Sequence, residues 1–355
     1  MTSASGAPDE DGAPAGAAAG PELLPPNYVA RFYRGGSRLG AFRGAPQGEF
    51  DGEDWVGSTT RAYGGTDGLG LSRLASGVLL ADAVAADPVG YLGPAHKAAF
   101  GAGTELLVKL LDAGERLAVH YHPSRGFARE HLGCAHGKTE AWLVLTAPQD
   151  GAVHLGFARE VGRDELRGWV RDQDAAAMLA AMNRIAVGPG DAVLVPAGVP
   201  HAIGAGIFLV ELQEPTDWSL MLERGGPEAP EESPGWRLGL GVDVALSAVD
   251  RGALGAERLA ALRLPAPVPL APGVERLLPE AADPYFRAQG VAGPAVLEPS
   301  LAVVVGTEGE LRLTPESGRA LDLPAGRACL VPFAAGRCTV SGGGRAIRCL
   351  PPLPG

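Results

Sequence analysis

Short apolar runs broken by tight turns recur along most of the chain, and this pattern predicts β-strands. Residues 106–122 hold two apolar runs joined by a turn at 112–115, and residues 138–147 hold a third run. Runs of this length between turn residues are typical of antiparallel strands. Residues 27–100 alternate short apolar and turn-rich stretches, so they are predicted to be strands and loops rather than long helices. The pattern favours an antiparallel barrel.

One stretch departs from this pattern and predicts helix. Within residues 163–185 apolar residues recur at roughly helical spacing, with a break expected at 172–174. Because the strand pattern resumes afterwards, the helical pair is predicted to be an insertion between strands of one barrel. We interpret its apolar positions as core contacts: Leu166, Trp169, Val170, Met178, Leu179 and Met182.

A similar order of strands and turns occurs twice. Residues 187–203 and 323–340 each contain a Gly turn, an apolar strand ending in Val-Pro, a small-residue turn and another strand. The second copy contains no histidine. We therefore predict a mainly β fold of two antiparallel β-barrels (jelly rolls), the second of them structural. The predicted divisions are a disordered tail (1–24), a first barrel (25–162 and 187–224) with a helical insertion (163–186), a linker and connecting segment (225–264) and a second barrel (265–355).

Length and charge bound the class of protein. The 355 residues exceed the usual size of one domain, and a hydrophobic content of 46% can fill two or three cores. The net charge of −11 argues against nucleic acid or an anionic membrane as a partner, since both attract cationic surfaces. It leaves room for a phosphorylated substrate, which one or two local cations can hold. No feature of the sequence indicates an oligomeric state.

Cysteine usage and the N-terminal composition point to the cytoplasm. The four cysteines, Cys134, Cys329, Cys338 and Cys349, form no Cys-x-x-Cys pair and are predicted to be free, buried thiols. Residues 1–24 have neither the basic nor the apolar segment of a signal peptide. No uninterrupted apolar run is long enough to cross a bilayer.

Three histidines and a glutamate form the strongest chemical signal. His120 and His122 stand at i and i+2 on a predicted strand, so their side chains share one face about 6–7 Å apart. Glu140 on the next strand and His201 at a later strand-turn can complete the shell of a metal ion. The nearby loop residues Glu130, His131, Cys134 and His136 are interpreted as solvent-facing or packing within the loop.

Lysine is scarce in this chain, so the positions of the few lysines are informative. Of thirty Lys and Arg residues only three are lysines, Lys97, Lys109 and Lys138. Against this Arg background, a lysine near the histidines is expected to serve through its compact, titratable ammonium. We predict such a role for Lys109 and Lys138 and interpret Lys97 as a chance neighbour.

The order of these motifs resembles that of the class I mannose-6-phosphate isomerases of the cupin superfamily. The resemblance covers most of residues 30–350 and implies two cupin-like barrels, zinc as cofactor and a small sugar phosphate as partner. It also implies interconversion of mannose 6-phosphate and fructose 6-phosphate through an enediol. The similar segments are LLVKLLDAGERLAVHYHP (106–123), FAREHLGCAHGKTEAWLVL (127–145) and VPAGVPHAIGAGIFLVELQEPTD (195–217), with weaker similarity in EDWVGST (53–59) and DPYFRAQ (283–289).

The resemblance assigns ligands, with one departure. His122, Glu140 and His201 stand where the family binds zinc, whereas His120 stands where the family usually has glutamine. Three imidazoles and one carboxylate suit Zn²⁺, and also Fe²⁺ or Mn²⁺.

The resemblance and the required chemistry also suggest catalytic residues. An aldose–ketose isomerisation needs a base and an electrophile for the enediol oxygen. Lys138 matches a family lysine implicated in the active site, and Lys109 is a second candidate for this cation or for holding phosphate.

A second departure concerns a catalytic arginine that the family carries downstream of the last histidine ligand. Met221 stands at its position here, and Arg224, which follows, is the candidate replacement. Asp217 is kept from the same motif, and Ser58, beside Thr59, is a candidate for binding substrate.

Three functions remain open at this level. The first is the metal-dependent isomerase. The second is a cupin enzyme that uses the same metal on another sugar or in an oxygen-dependent reaction, and the third is a catalytically silent sugar-binding cupin. The second and third functions remain open because of two residues, His120 and Met221, that depart from the family pattern.

Overall fold

The computed structural model describes residues 20–66, 68–224 and 234–354, and most of its regular structure is strand. No helix in these ranges is long and apolar enough to cross a membrane. The strands are β1 Glu22–Leu24, β2 Tyr28–Val29, β3 Glu53–Val56, β4 Leu107–Asp112, β5 His120–Tyr121, β6 Glu140–Thr146, β7 Ala152–Phe157, β8 Met182–Ala186, β9 Ala192–Val195, β10 His201–Ile203, β11 Phe208–Gln213, β12 Leu220–Met221, β13 Arg263–Leu264, β14 Val268–Ala271, β15 Val274–Arg276, β16 Arg287–Ala292, β17 Ala295–Leu297, β18 Ala302–Glu308, β19 Glu310–Pro315, β20 Leu321–Pro324, β21 Ala328–Val331, β22 Cys338–Gly342 and β23 Arg345–Leu350.

The helices are short and lie mostly in the first half of the chain. The α-helices are α1 Arg38–Arg43, α2 Leu80–Ala86, α3 Pro88–Leu92, α4 Pro94–Phe100, α5 Arg125–His131, α6 Arg163–Asp172, α7 Ala175–Ala181, α8 Val242–Ser247 and α9 Ala256–Ala261, and 3₁₀ turns occupy Pro234–Arg237, Glu280–Ala282 and Phe333–Ala335.

The strands form two sandwiches, each of a seven-stranded and a smaller sheet. In the first sandwich the sheet β13-β9-β6-β11-β4-β3-β2 faces the sheet β12-β5-β10-β7-β8. In the second sandwich the sheet β1-β21-β18-β23-β16-β15-β14 faces the sheet β17-β22-β19-β20. The mainly β, antiparallel prediction is therefore confirmed. The barrels are not closed, because no ladder among the described strands joins the two sheets of either sandwich.

Three cores hold these layers together. Each sandwich has an apolar core between its own sheets, and the two large sheets pack back to back around a third core that also takes in α1, α2 and α3. Strand β11 shows how the sequence does this. Leu209 enters the core of the first sandwich, while Val210 and Leu212 enter the shared core, as the period of two requires. Both faces of the strand are thus buried.

The helical insertion packs on the outer face of the five-stranded sheet, as its apolar spacing predicts. Leu166, Met178 and Met182 are buried in a core formed with Tyr121 and Phe157. The predicted break is present, because Gln173 adopts φ 54° between α6 and α7. The last five residues of the predicted insertion form β8 instead, since pairing with β7 outweighs their helical pattern.

Three sequence predictions differ from the structure. Residues 27–100 contain four helices, α1–α4, of five to seven residues each, which are too short to show a helical period. Within the predicted tail, residues 1–19 lie outside the described part, but Glu22–Leu24 pair with β21. Of the predicted linker, 225–233 lie outside the described part, and the rest carries α8, α9 and β13.

Candidate metal centre and active site

Strand pairing brings three histidines to one point at the end of the first sandwich. β5 and β10 are antiparallel neighbours, with His120 directly opposite His201. His122 follows two residues later on the same face. The ligand atoms of the three rings lie within 4.8 Å of one another, and the Nε2 atoms of His120 and His201 are 3.1 Å apart. The predicted i, i+2 pair and the later histidine therefore converge.

The hydrogen bond at Nδ1 fixes the tautomer of each of the three imidazoles. A backbone carbonyl can only accept a hydrogen bond, so each Nδ1 carries the hydrogen and each Nε2 keeps its lone pair for the centre. Metal-ligating histidines are held in this way by their second nitrogen. The carbonyl oxygens that accept from His120, His122 and His201 are those of Ala118 at 2.8 Å, Trp218 at 2.8 Å and Val199 at 2.9 Å.

Glu140, the first residue of β6, completes the cluster. Its carboxylate lies 2.9 Å from Nε2 of His122 and 3.4 Å from Nε2 of His201, and the indole of Trp142 donates to it at 3.0 Å. Burial alone would raise the pKa of Glu140, but the ammonium of Lys138 and the imidazole of His122 hold that pKa well below its usual range.

The histidines are held neutral. Burial lowers the pKa of all three, and together with the Lys138 ammonium it lowers the pKa of His122 to about 3. Neutral imidazole and ionised carboxylate are the forms that bind a metal. Lone pairs of His120 and His201 that face each other at 3.1 Å favour a cation between them. The four side chains therefore fit a divalent metal ion.

Lys138 lies against this cluster, as predicted. Its ammonium nitrogen is 2.5 Å from Oε2 of Glu140 and 2.8 Å from Nε2 of His122. Lys138 is 4% exposed, so this positive charge faces the interior of the site rather than its rim.

Lys109 and Glu211 extend the site along the sheet. They stand opposite each other on β4 and β11, with Lys109 Nζ 3.3 Å and Lys138 Nζ 3.9 Å from Oε1 of Glu211. Burial, and then the charge of Glu140, raise the pKa of Glu211 to about 7, against the opposing effect of the two ammonium groups. A carboxyl group poised near neutral pH beside two lysines is suited to moving a proton.

The charges continue in alternation towards the surface. Glu53 lies 3.3 Å from Lys109 and 3.4 Å from the Nε of Arg31, whose guanidinium reaches Asp217 at 3.1 Å. Glu53 also accepts from the hydroxyl of Tyr33 at 2.8 Å. Because the negative groups are fixed between positive ones, the network keeps the cavity-facing cations in place.

A cavity of about 30 Å³ opens beside the cluster, bordered by His120, Lys138, Glu140, Lys109, Glu211, Glu53 and Arg31. Met221 also borders it, because β12 pairs with β5 and places Met221 opposite His120. The thioether thus lies in the site at the position where the resemblance implied an arginine.

The structure does not bring every predicted residue here. Arg224 does not border the cavity, and its guanidinium lies over the ring of Trp236, 5.4 Å from the centroid. The chain turns away after β12, which carries Arg224 to this different environment. Asp217 does not border the cavity either, although it holds Arg31.

Ser58 has a local role. Its hydroxyl accepts from the backbone N–H of Thr60 at 3.0 Å and donates to the carbonyl of the same residue at 3.2 Å. It is fully buried and does not border the cavity, so its bonding explains it as a turn residue rather than one that binds substrate.

The remaining side chains near the motif follow the predictions. Lys97 is exposed on α4, and His136 pairs with Glu105 at 2.8 Å in the loop. Glu130 and His131 pair with each other at 3.6 Å, away from the cluster.

Sequence reasoning missed Glu211, Glu53 and Arg31. A signal existed for Glu211, because a carboxylate inside the otherwise apolar run FLVEL must be paired when the strand is buried on both faces. Lys109 in LLVKLL gives the same signal, and the two are partners in register. Arg31 carries no such mark, since its segment is irregular.

Comparison with known proteins finds relatives and a shared fold. A mannose-6-phosphate isomerase from Streptococcus mutans is 36% identical over 134 residues, covering 37% of this chain and 41% of that protein. Mannose-6-phosphate isomerase ManA from Bacillus subtilis is 34% identical over 117 residues, covering 33% of this chain and 36% of that protein. The chain thus matches less than half of the length of these curated relatives. No protein-family model matches the chain.

Solved structures match over nearly the whole chain. The mannose 6-phosphate isomerase of Bacillus subtilis aligns with a TM-score of 0.72 at 21% identity, covering 93% of this chain and 99% of that one. A mannose 6-phosphate isomerase bound with zinc and yttrium aligns with a TM-score of 0.70 at 18% identity, covering 95% and 100%. The resemblance seen in the motifs is confirmed: the chain has the fold of these mannose-6-phosphate isomerases and is similar in sequence to curated ones over about a third of its length.

Proposed function

We propose that this protein is a metal-dependent aldose–ketose isomerase that interconverts mannose 6-phosphate and fructose 6-phosphate, with Zn²⁺ as its metal. The observation that carries the proposal is the set of three inward-facing Nε2 atoms with Glu140, next to the buried ammonium of Lys138. The sequence relatives and the zinc-bound structural neighbour carry the corresponding names. The small-molecule partner is accordingly a sugar phosphate.

His120, His122, Glu140 and His201 would hold the metal, which when bound polarises oxygens of the sugar as a Lewis acid. These four side chains are buried or nearly so, and their second nitrogens or oxygens are bonded to the scaffold. Such a rigid set excludes bulk water and keeps the reacting oxygens in one orientation.

Proton transfer is assigned to Glu211 and Lys138. The reaction moves a proton from C2 of the aldose to C1 of the ketose. It also moves the proton of the C2 hydroxyl to the oxygen on C1. Glu211, whose pKa lies near 7, can take and return a proton at neutral pH. The Lys138 ammonium faces the place where charge builds on the enediol oxygen and stabilises it there.

Arg31 is proposed to bind the phosphate. Arg31, Lys109 and Lys138 are the cations on the cavity wall, and Arg31 is the most exposed of them, with 16% of its side chain accessible against 3% and 4%. It therefore serves in place of the arginine that Met221 replaces. We expect Arg31→Gln to raise KM for mannose 6-phosphate more than it lowers kcat.

A solvent-isotope assay tests the proposal directly. Zinc-loaded protein is incubated with mannose 6-phosphate in D₂O, and product and deuterium content are followed by NMR. We expect fructose 6-phosphate that carries solvent deuterium at C1, and loss of both signals in Glu140→Ala. Fructose 6-phosphate that carries no deuterium at C1 would argue against a base that exchanges its proton with solvent. Absence of fructose 6-phosphate would contradict the proposed isomerase activity.

A specific observation also favours a second candidate, an oxygen-dependent cupin enzyme. His120 gives three imidazoles and one carboxylate, a set that also suits Fe²⁺, and Met221 leaves an apolar wall next to it. Iron-loaded protein that consumes oxygen with a sugar, while zinc-loaded protein shows no isomerase activity, would establish this alternative.

We further propose that the protein works in the reducing cytoplasm. All four cysteines are free, and Cys329, Cys338 and Cys349 are buried in apolar surroundings as packing residues.

A further inference from the structure

A second cavity, of about 420 Å³, lies between α3–α4 and the second sandwich. None of its lining residues borders the cavity at the metal centre. Its walls are largely apolar, with Leu92, Phe333, Leu350 and Leu353 among them. The charged residues that line it are two arginines, Arg287 and Arg348, and one carboxylate, Glu298.

Register places the two arginines on one face of the sheet. β16 and β23 are antiparallel neighbours in which Arg287 stands opposite Leu350 and Gln289 opposite Arg348. Because residues two apart on a strand share a face, Arg287 and Arg348 stand diagonally next to each other. Two guanidinium groups thus line one cavity.

Arg348 is buried with only neutral partners. It is 4% exposed, and it donates to the side-chain oxygen of Gln289 at 3.1 Å and to the backbone carbonyl of Glu298 at 2.6 Å. Its Nε–H has no hydrogen-bond partner within the described chain. The carboxylate of Glu298 binds Arg337 at 3.2 Å instead and is 69% exposed.

Arg287 is half-buried, and the charge of Asp283 acts on it from beyond ion-pair distance. Its Nε–H donates to the carbonyl of Pro351 at 3.0 Å. Among the residues that the structure describes, no carboxylate lies within ion-pair distance of either arginine. Burial lowers the pKa of both groups, and with the charge of Arg287 it lowers the pKa of Arg348 to about 10. An arginine side chain keeps its charge at neutral pH.

Buried cations without anionic partners are unfavourable, and a bound anion would relieve this. Guanidinium groups bind the paired oxygens of phosphate in a fork, and a phosphate monoester at neutral pH carries close to two negative charges. Two arginines match that charge. The volume lies within the range of about 300–1,000 Å³ typical of small-molecule sites, and such sites combine apolar walls with a few polar groups.

We propose that this second cavity binds the phosphate monoester of a small organic molecule, with the phosphate on Arg287 and Arg348 and the organic part against the apolar wall. The guanidinium N–H groups of Arg287 and Arg348 donate the hydrogen bonds to the phosphate oxygens. The site is separate from the metal centre, so it can be occupied whatever reaction that centre performs.

Calorimetric titration of the full-length, metal-loaded protein with phenyl phosphate tests this site. We expect saturable binding that Arg287→Gln weakens at least tenfold. Leu353→Asp, at a residue 62% exposed, should weaken binding as well, because it places a negative charge at the cavity wall without disturbing the core. This second variant keeps the test valid should Arg287→Gln fail to fold.

Two controls assign the binding to this cavity. Arg345→Gln changes an exposed arginine on the same strand, and Lys138→Gln changes the metal centre, so both should retain it. Benzoate should bind at least tenfold more weakly than phenyl phosphate. The proposal is overturned if phenyl phosphate shows no saturable binding, if Arg287→Gln and Leu353→Asp leave binding unchanged, if Lys138→Gln abolishes it, or if benzoate binds equally well.

Discussion

The two sandwiches repeat one strand-turn arrangement, but only in the first does it carry a histidine of the candidate metal site. β9 ends at Val195 and, after the Val-Pro turn, β10 begins at His201. In the second sandwich β21 ends at Val331 and β22 begins at Cys338. The interior of the second sandwich is a continuous apolar core, into which Cys338 packs. The interior of the first is divided between an apolar core and a polar end that holds the histidines.

This difference shows what a buried reactive site requires of its scaffold. Buried charges are tolerated where each has partners, and in the first sandwich Lys138, Glu211, Lys109 and Glu53 alternate in sign. The second sandwich holds no such alternating network. Apart from Arg348, its core positions need only be apolar and of suitable size.

The largest expected effect is on zinc binding, and it should differ between the first residues of two corresponding strands, His201 of β10 and Cys338 of β22. His201→Ala should lower zinc affinity by more than ~100-fold, because it removes a ligand where loss of a supporting partner alone costs about 10–100-fold. Cys338→Ala, the matched change in the second sandwich, should leave zinc bound. Element analysis after dialysis measures both. Retention of zinc by the His201 variant would contradict the proposal that His201 is a zinc ligand.

A second prediction concerns the charge beside the ligands. Lys138→Met should lower isomerase turnover by about 10²–10⁴-fold, the usual contribution of a proton-transferring or charge-stabilising group. Bound zinc should stay near the wild-type level. Lys97→Met, at an exposed lysine on α4, serves as the control and should be as active as the wild type. Equal loss in both variants would contradict a specific role for Lys138.

The second sandwich can be tested through its core. Leu311→Ala removes a fully buried side chain and should destabilise the protein by about 2–5 kcal/mol. Because Leu311 belongs to the core of the second sandwich alone, zinc content and kcat of the folded variant should not change. Urea unfolding and element analysis measure the two effects. Loss of zinc from folded protein would show that the second sandwich shapes the metal centre.

The smallest effect distinguishes a loop histidine from the three clustered histidines. The hydrogen bond to Glu105 raises the pKa of His136, whereas burial lowers the pKa of the clustered histidines. The pair therefore stabilises the fold fully below the unfolded pKa of about 6.5 and loses this contribution as pH rises through the higher folded value.

Glu105→Gln should remove that dependence. Since His136 is partly exposed, the effect should not exceed about 1 kcal/mol. Unfolding measured between pH 5 and 9 should show a smaller loss of stability in the variant than in the wild type. An identical pH profile would contradict the pairing.

The convergence of the three histidines could be predicted because it depends on strand geometry. The i, i+2 spacing of His120 and His122 and the strand-turn position of His201 determine which way the side chains face once the strands pair. The two-sandwich fold was predictable for a similar reason, since short apolar runs and turns repeat along both halves of the chain.

The remaining parts of the site depend on long-range pairing. Arg31 reaches the cavity only because Glu53 and Asp217 hold its guanidinium, and no local pattern encodes contacts so far apart in the chain. Arg224 follows β12 and is carried to Trp236 by a change in chain direction that the sequence does not mark. The helices α1–α4 and strand β1 are each too short for a period to show, so tertiary packing decides them.

The central claim is that the polar end of the first sandwich is a zinc-dependent isomerase site. The most direct measurement is turnover of mannose 6-phosphate to fructose 6-phosphate as metal-free protein is titrated with zinc. Turnover should rise in proportion to bound zinc, reach its maximum at a single equivalent and be absent from Glu140→Ala. Protein that binds an equivalent of zinc in this site and produces no fructose 6-phosphate would contradict the account.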